Sequence, residues 1–145
     1  MKLCRGVYLA GPMAGLTGAG MKDWRTTAGQ MLEMADIPYL DPTRRMPYHN
    51  KVHNDRHFST NLAKRIFKQD LRDIARCEVL LVDARNHPNA KAQGTAAECM
   101  FAHMKHKVII LWTEGSAINP FMTAMATEIH YDFEDAVYAA IDYAE

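Results

Sequence analysis

Short apolar runs alternate with amphipathic stretches along the whole chain, and this alternation restricts the fold more than any other feature of the sequence. Such a pattern builds a parallel sheet covered by helices on both faces. Strands are predicted at 7–10, 37–40, 78–83, 108–112 and 128–131. Helices are predicted at 21–34, from a Ser59 cap to 77, at 95–105 and at 133–143, with a short helical turn at 119–124. Trp24, Ala28, Met31 and Leu32 form the buried stripe of the first helix. Pro38 lacks an amide for a sheet ladder, so the second strand is expected at an edge. The resulting fold class is α/β, a flavodoxin-like or Rossmann-like sandwich around a mostly parallel five-stranded sheet, with residues 1–145 as a single domain.

Seventeen basic and seventeen acidic residues cancel, so the chain lacks the broad positive field that binding a nucleic-acid polymer would require. A small-molecule partner fits better. Cys4, Cys77 and Cys99 are odd in number and lack CxxC spacing; they read as reduced packing residues rather than a disulfide framework or a zinc site. The N-terminal residues reach Gly6 and Tyr8 without the apolar core of a signal peptide, and no apolar run is long enough to span a bilayer. The expectation is a soluble, cytoplasmic protein with no membrane partner.

Glu98 is the only carboxylate in the apolar run from Gly94 to Met104, and it lies one turn into a helix that follows a strand and a loop. Open α/β sheets place their ligand crevice at the carboxyl ends of strands, where a carboxylate can act as nucleophile or base. A second reading carries equal weight: Thr95-x-x-Glu98 is also a capping box, in which the two side chains satisfy amides of the first turn. In the second helix the apolar stride is Leu62, Ile66 and Ile74, with Phe67 and Leu71 alongside. Asp70 falls on that row where an apolar side chain belongs. A charge there costs several kcal/mol unless it is paired or faces a cavity, so Asp70 either holds an arginine such as Arg44 or points into the site. Asp73, one step round, is expected to be solvated.

Gly11, Gly15, Gly18 and Gly20 enrich the first loop in glycine, yet the spacing fits neither a phosphate loop nor the dinucleotide fingerprint. After Gly15-x-x-x-x-Gly20 comes Met21 and then Lys22-Asp23, not lysine followed by a hydroxyl residue, and Asp23 stands where the third glycine of Gly18-x-Gly20 should be. The loop either approaches a ligand closely or simply turns. His49, His53 and His57 recur at intervals of four, but Pro47, Asn50 and Asn54 disfavour a helix that would align them. No metal and no cofactor are expected. The irregular stretch 41–58 reads as a functional lid.

Three motifs in order, Tyr8-Leu9-Ala10-Gly11-Pro12-Met13, Asp70-Leu71-x-x-Ile74 and Gly94-Thr95-x-x-Glu98, resemble the nucleoside 2-deoxyribosyltransferase family, and the likeness spans most of the chain from Val7 to the closing helix. The resemblance implies N-glycosidic chemistry, with transfer of a 2-deoxyribosyl group between bases, or hydrolysis of a nucleoside 5′-monophosphate. It makes Glu98 the nucleophile, Asp70 the group that assists the leaving base, and Tyr8 the residue that holds Glu98 in place. Gly11, Pro12, Met13, Gly94 and Thr95 would contact substrate. The resemblance further implies nucleobase contacts from Asp41, Arg44 and Arg45. A site completed by a neighbouring subunit through the region of Asn119 would make the protein a homo-oligomer with shared active sites. The family's deoxyribosyltransferases carry an aspartate for the sugar 5′-hydroxyl six residues before the nucleophile, whereas relatives that hydrolyse 5′-monophosphates often carry serine in that region. Ala92 stands there, which makes a nucleotide plausible, cradled by Lys91, Thr95 and amides at the helix start. The competing class is a nucleotide-binding module without turnover. Retention of both Glu98 and Asp70, which would repel phosphate in a crevice, favours the enzyme.

Overall fold

The computed structural model describes residues 5–13, 18–45, 60–87, 93–115 and 118–145. Five strands, β1 (Val7–Ala10), β2 (Tyr39–Leu40), β3 (Val79–Asp83), β4 (Val108–Trp112) and β5 (Glu128–His130), form one sheet in the order β2-β1-β3-β4-β5. All four pairings are parallel, with Tyr8 beside Leu80 and Leu80 beside Ile109. This is the flavodoxin-like strand order, in which the chain reverses direction across the sheet between β1 and β3. The expected class is correct, and the sheet is fully rather than mostly parallel.

Parallel neighbours need crossovers, which helices α1 (Gly18–Met34), α2 (Thr60–Arg76), α3 (Gln93–Met104) and α4 (Pro120–Met125) supply, while α5 (Phe133–Ala144) follows β5 and packs on one face. Alternation along each strand divides the core in two. Val7, Leu9, Val79, Leu81, Ile110 and Trp112 face Trp24, Ala28 and Leu32 of α1 and Val137 and Ile141 of α5. Tyr8, Ala10, Leu80, Val82, Ile109 and Leu111 face Ile74 of α2, Cys99 and Ala102 of α3 and Met122 of α4. Cys77 and Cys99 are free and buried; Cys4 lies outside the described residues. No helix among the described residues is long and apolar enough to cross a membrane.

Several local expectations need correction. α1 begins at Gly18, so Gly18 and Gly20 belong to its first turn rather than to a loop. β2 keeps only Tyr39 and Leu40, at the expected edge; the Pro38 carbonyl still accepts the Val7 amide. Asp73 is not solvated. It is 3% exposed and receives Arg44 Nη2 at 2.5 Å, because the chain just after β2, Asp41 and the 3-10 turn Pro42–Arg45, brings that arginine against α2. The apolar Phe67 is 52% exposed.

Candidate active site

At the carboxyl ends of β1 and β3, a cleft of about 230 Å³ opens between α2 and α3. Its floor is Gly11, Pro12 and Met13; one wall is Ala63, Ile66, Phe67, Asp70 and Leu71; the other is Gln93, Gly94, Thr95, Ala97 and Glu98. The position follows from topology, since the helices that leave β1 and β3 depart to opposite faces and part the loops at the switch point. The exposure of Phe67 is explained by the same opening: the side chain lines the cleft instead of the core. Gly11 sits in close packing: a Cβ there would stand 3.1 Å from the Asp83 Cβ and 3.2 Å from the Trp24 ring and the Arg25 guanidinium, so a larger residue would need its neighbours to give by a few tenths of an ångström.

Glu98 is part-buried on the cleft wall and accepts a 2.6 Å hydrogen bond from the Tyr8 hydroxyl. The capping-box alternative fails on geometry. α3 begins at Gln93, so Thr95 lies inside the first turn, and the Glu98 carboxylate turns to Tyr8. Burial pushes the Glu98 carboxyl up to about 7, against the Tyr8 hydrogen bond and the Arg25 charge, which both favour the anion. Tyr8 is itself fully buried, and burial together with the negative charges of Glu98 and Asp70 raises its pKa well above the ordinary value. It therefore stays a neutral donor, which is what a residue fixing a carboxylate must be. The neighbouring Cys99 thiol is pushed up to about 12 by burial and by the Glu98 charge, so it is no nucleophile.

Tyr8, Gly11, Pro12, Met13, Asp70, Gly94, Thr95 and Glu98 thus converge on one place. Other expected site residues do not. Asp41 accepts the Thr43 amide and hydroxyl at 2.8 and 2.6 Å, Arg44 is held by Asp73 and the Asp41 carbonyl, and neither lines the cleft. Asn119, expected to serve a neighbouring subunit's site rather than this cleft, caps α4 by accepting the Phe121 amide at 2.8 Å. Lys91, Ala92, His49, His53 and His57 lie outside the described residues, as does most of the stretch 41–58. No cluster of three or more metal-ligating side chains occurs among the described residues.

One functional neighbour was not singled out from the sequence. Arg25 is 0% exposed, donating from Nε to the Leu9 carbonyl at 3.2 Å and from Nη2 to the Gly11 carbonyl at 3.0 Å. A signal existed: Ala28, Gly29 and Leu32 are buried at helical spacing, and the same row extends back to Arg25. A charge on a buried row is informative, as it was at Asp70.

The sequence model of the nucleoside 2-deoxyribosyltransferase family matches residues 7–136. Among solved structures, a 2-deoxyribosyltransferase from the psychrotolerant bacterium Bacillus psychrosaccharolyticus is similar with a TM-score of 0.71 and 21% identity, over 94% of this chain and 95% of that one. A 2-deoxyribosyltransferase from Leishmania mexicana gives 0.64 and 17% over 96% and 98% of the two chains. A conserved protein from Enterococcus faecalis V583 gives 0.72 and 15% over 95% and 97%. At these identities the structural likeness shows a shared fold. No curated protein matches the chain by sequence.

Proposed function

Since the chain belongs to the nucleoside 2-deoxyribosyltransferase family, we propose that it cleaves the N-glycosidic bond of a (deoxy)nucleoside or its 5′-monophosphate with Glu98 as nucleophile. The observation that carries this reading is the Tyr8–Glu98 hydrogen bond at the rim of a cleft that Asp70 also lines. A Glu98 carboxylate oxygen attacks the anomeric carbon as the bond to the base nitrogen breaks. The departing electron pair settles on the base, where Asp70 supplies a proton or a polar partner. The glycosyl ester on Glu98 is then opened at the same carbon by the nitrogen of a second base or by water, whose proton passes to Asp70 as the bond from the sugar to Glu98 breaks and the carboxylate is restored. Tyr8 holds the attacking oxygen and lends no proton.

Phe67, Ile66, Leu71 and Met13 give the cleft an apolar lining suited to a planar base. Hydrolysis of a 5′-monophosphate is the second reading, favoured by Ala92 in the sequence, where a carboxylate facing the sugar 5′ end would repel phosphate. A homo-oligomer belongs to the same proposal. Met100 and Met104 of α3 and Phe121 of α4, on contacting helices, are 47%, 68% and 75% exposed, an apolar surface suited to a second copy.

The test is a panel of nucleosides and 5′-monophosphates incubated with and without a second free base, with base release and exchange followed by chromatography. Base exchange identifies a transferase and release alone a hydrolase. Binding without either, in a protein whose Glu98→Gln variant binds equally well, would refute the enzymatic reading.

A further inference from the structure

At the end of the sheet opposite the cleft, where β1, β3 and β4 begin, Arg5, Arg72, Arg76 and Lys107 surround an open cavity of about 600 Å³. They come from three places in the chain: the lead into β1, the last turns of α2 and the residue before β4. Glu78 is the single carboxylate of the lining. Four cations against one anion leave a surplus of three positive charges, in a chain whose seventeen basic and seventeen acidic residues cancel.

The fold accounts for little of this charge. Lys107 donates to the Ala75 carbonyl at 3.1 Å, and Arg76 stands in the last turn of α2, where a cation favours the helix dipole. The nearby main chain is otherwise answered within the sheet: the Gly6 carbonyl accepts the Glu78 and Val79 amides, and the Glu78 carbonyl accepts the Val108 amide. Arg5, Arg72 and Arg76 are exposed, and none of them makes an ion pair or side-chain hydrogen bond among the described residues. Lys64, Lys68, Arg72 and Arg76 moreover repeat every four residues along α2, all exposed. Like charges at that spacing repel and weaken a helix. Charge set out at a cost to its own helix calls for an anion from outside.

We propose that this cavity is a second ligand site, separate from the cleft, which binds the phosphate chain of a small molecule carrying two or three linked phosphates. A single phosphate, with a charge of about −2, would leave part of the surplus unanswered and much of the cavity empty. The arginine forks can each take two phosphate oxygens, and Lys107 adds a point charge. The stripe on α2 steers anions toward the cavity at its end. Arg5 and Lys107 lie off that helix and gather the charge at one end of the stripe, which favours a compact anion over a nucleic-acid strand lying along it. The inference does not depend on the role of Glu98.

Calorimetric titration of the full chain with inorganic triphosphate, free of divalent cations and at about 0.15 M salt, should show one site per chain. Amide resonances of Ala75, Arg76, Cys77 and Lys107 should shift while those of Gly94, Thr95 and Glu98 stay. The double variant Arg72→Gln/Arg76→Gln should bind about tenfold more weakly or worse, as loss of charge-assisted contacts requires. Lys64→Gln should bind like the native protein, because Lys64 lies about 12 Å along the helix from Arg72, beyond the screening length of about 8 Å at that salt. All three substituted side chains are exposed, so melting curves should match the native one. Adenosine 5′-triphosphate, read on the same resonances, distinguishes the source of the phosphates: tighter binding than inorganic triphosphate assigns the site to a nucleotide, equal or weaker binding to free polyphosphate. No binding at millimolar triphosphate, shifts confined to the cleft, or equal weakening in Lys64→Gln and the double variant overturns the proposal. An oligonucleotide that binds more tightly than triphosphate and is weakened by Lys64→Gln also overturns it, and assigns the stripe to a nucleic acid.

Discussion

Replacing Glu98 by glutamine should stabilise the protein, and the gain should depend on pH in a direction that the site geometry dictates. In the native fold the carboxyl titrates at about 7 against an ordinary 4.5, because burial outweighs Tyr8 and Arg25. The folded state therefore holds this proton more tightly than the unfolded chain. Below the unfolded value both states are protonated and no penalty exists. As pH rises from 4.5 through 7 the unfolded chain loses the proton first, and stability falls; above 7 the full penalty applies. Between about pH 5 and pH 8 the change amounts to about 2.5 kcal/mol. For a chain of this length that corresponds to roughly 5–10 °C in melting temperature. Glutamine keeps an oxygen for the Tyr8 hydroxyl and removes the ionisation. Melting curves of native protein and Glu98→Gln at both pH values, by calorimetry or circular dichroism, should show the variant's advantage growing by that amount from acid to base. An advantage that is constant with pH, or that shrinks, would refute the claim that Glu98 is ionised against its surroundings. The same variant should have no turnover while still binding substrate.

Asp70→Asn should slow substrates with basic leaving nitrogens by ~100-fold or more while sparing activated ones, because help from a general acid matters most for poor leaving groups; equal losses in steady-state kinetics on both kinds would point to positioning instead. Ala92→Asp should shift preference from 5′-monophosphates toward nucleosides by tens of fold, since like charges about 8 Å apart repel by about 2 kcal/mol at an effective dielectric of about 20; competition between paired substrates reads this directly. Asp73→Asn should lower stability by about 1–2 kcal/mol, through the lost charge-assisted bond to the half-exposed Arg44, with denaturant melts as the measure and no change in kcat.

Where the sequence was legible, a local rule and the tertiary environment agreed. β4 occupies the predicted 108–112 because five apolar residues in a row suit a central strand buried on both faces. Glu98 and Asp70 could be found because each is a charge interrupting an apolar pattern, and such a charge must meet a cavity or a partner. Asp73 was misread because its partner comes from a remote turn: Arg44 is 29 positions away in sequence, and no helical stripe reveals a neighbour that the chain brings in afterwards. Arg25 was overlooked although its row was visible, since Trp24 drew the buried stripe one residue to the side. Asp41 and Arg44 show a further limit, for polar residues beside a crevice serve turns and ion pairs as readily as ligands.

The site's polar groups arrive from both faces of the sheet, and the strand period of two explains how. Tyr8 points to the α2 and α3 side, where Glu98 waits, while Val7 and Leu9 point to the α1 side, where Arg25 lies. Arg25 nevertheless reaches the cleft floor, because its targets are the main-chain carbonyls of Leu9 and Gly11, which belong to neither face. A one-residue slip of β1 would send Tyr8 into the α1 core and bury an aliphatic side chain against a carboxylate. The pairing of Tyr8 with Leu80 and of Ala10 with Val82 guards against that slip, since every residue of β1 is buried and has a fixed partner on β3. Site geometry and strand register are in this respect one constraint: the apolar contacts that choose the register also decide which hydroxyl meets Glu98.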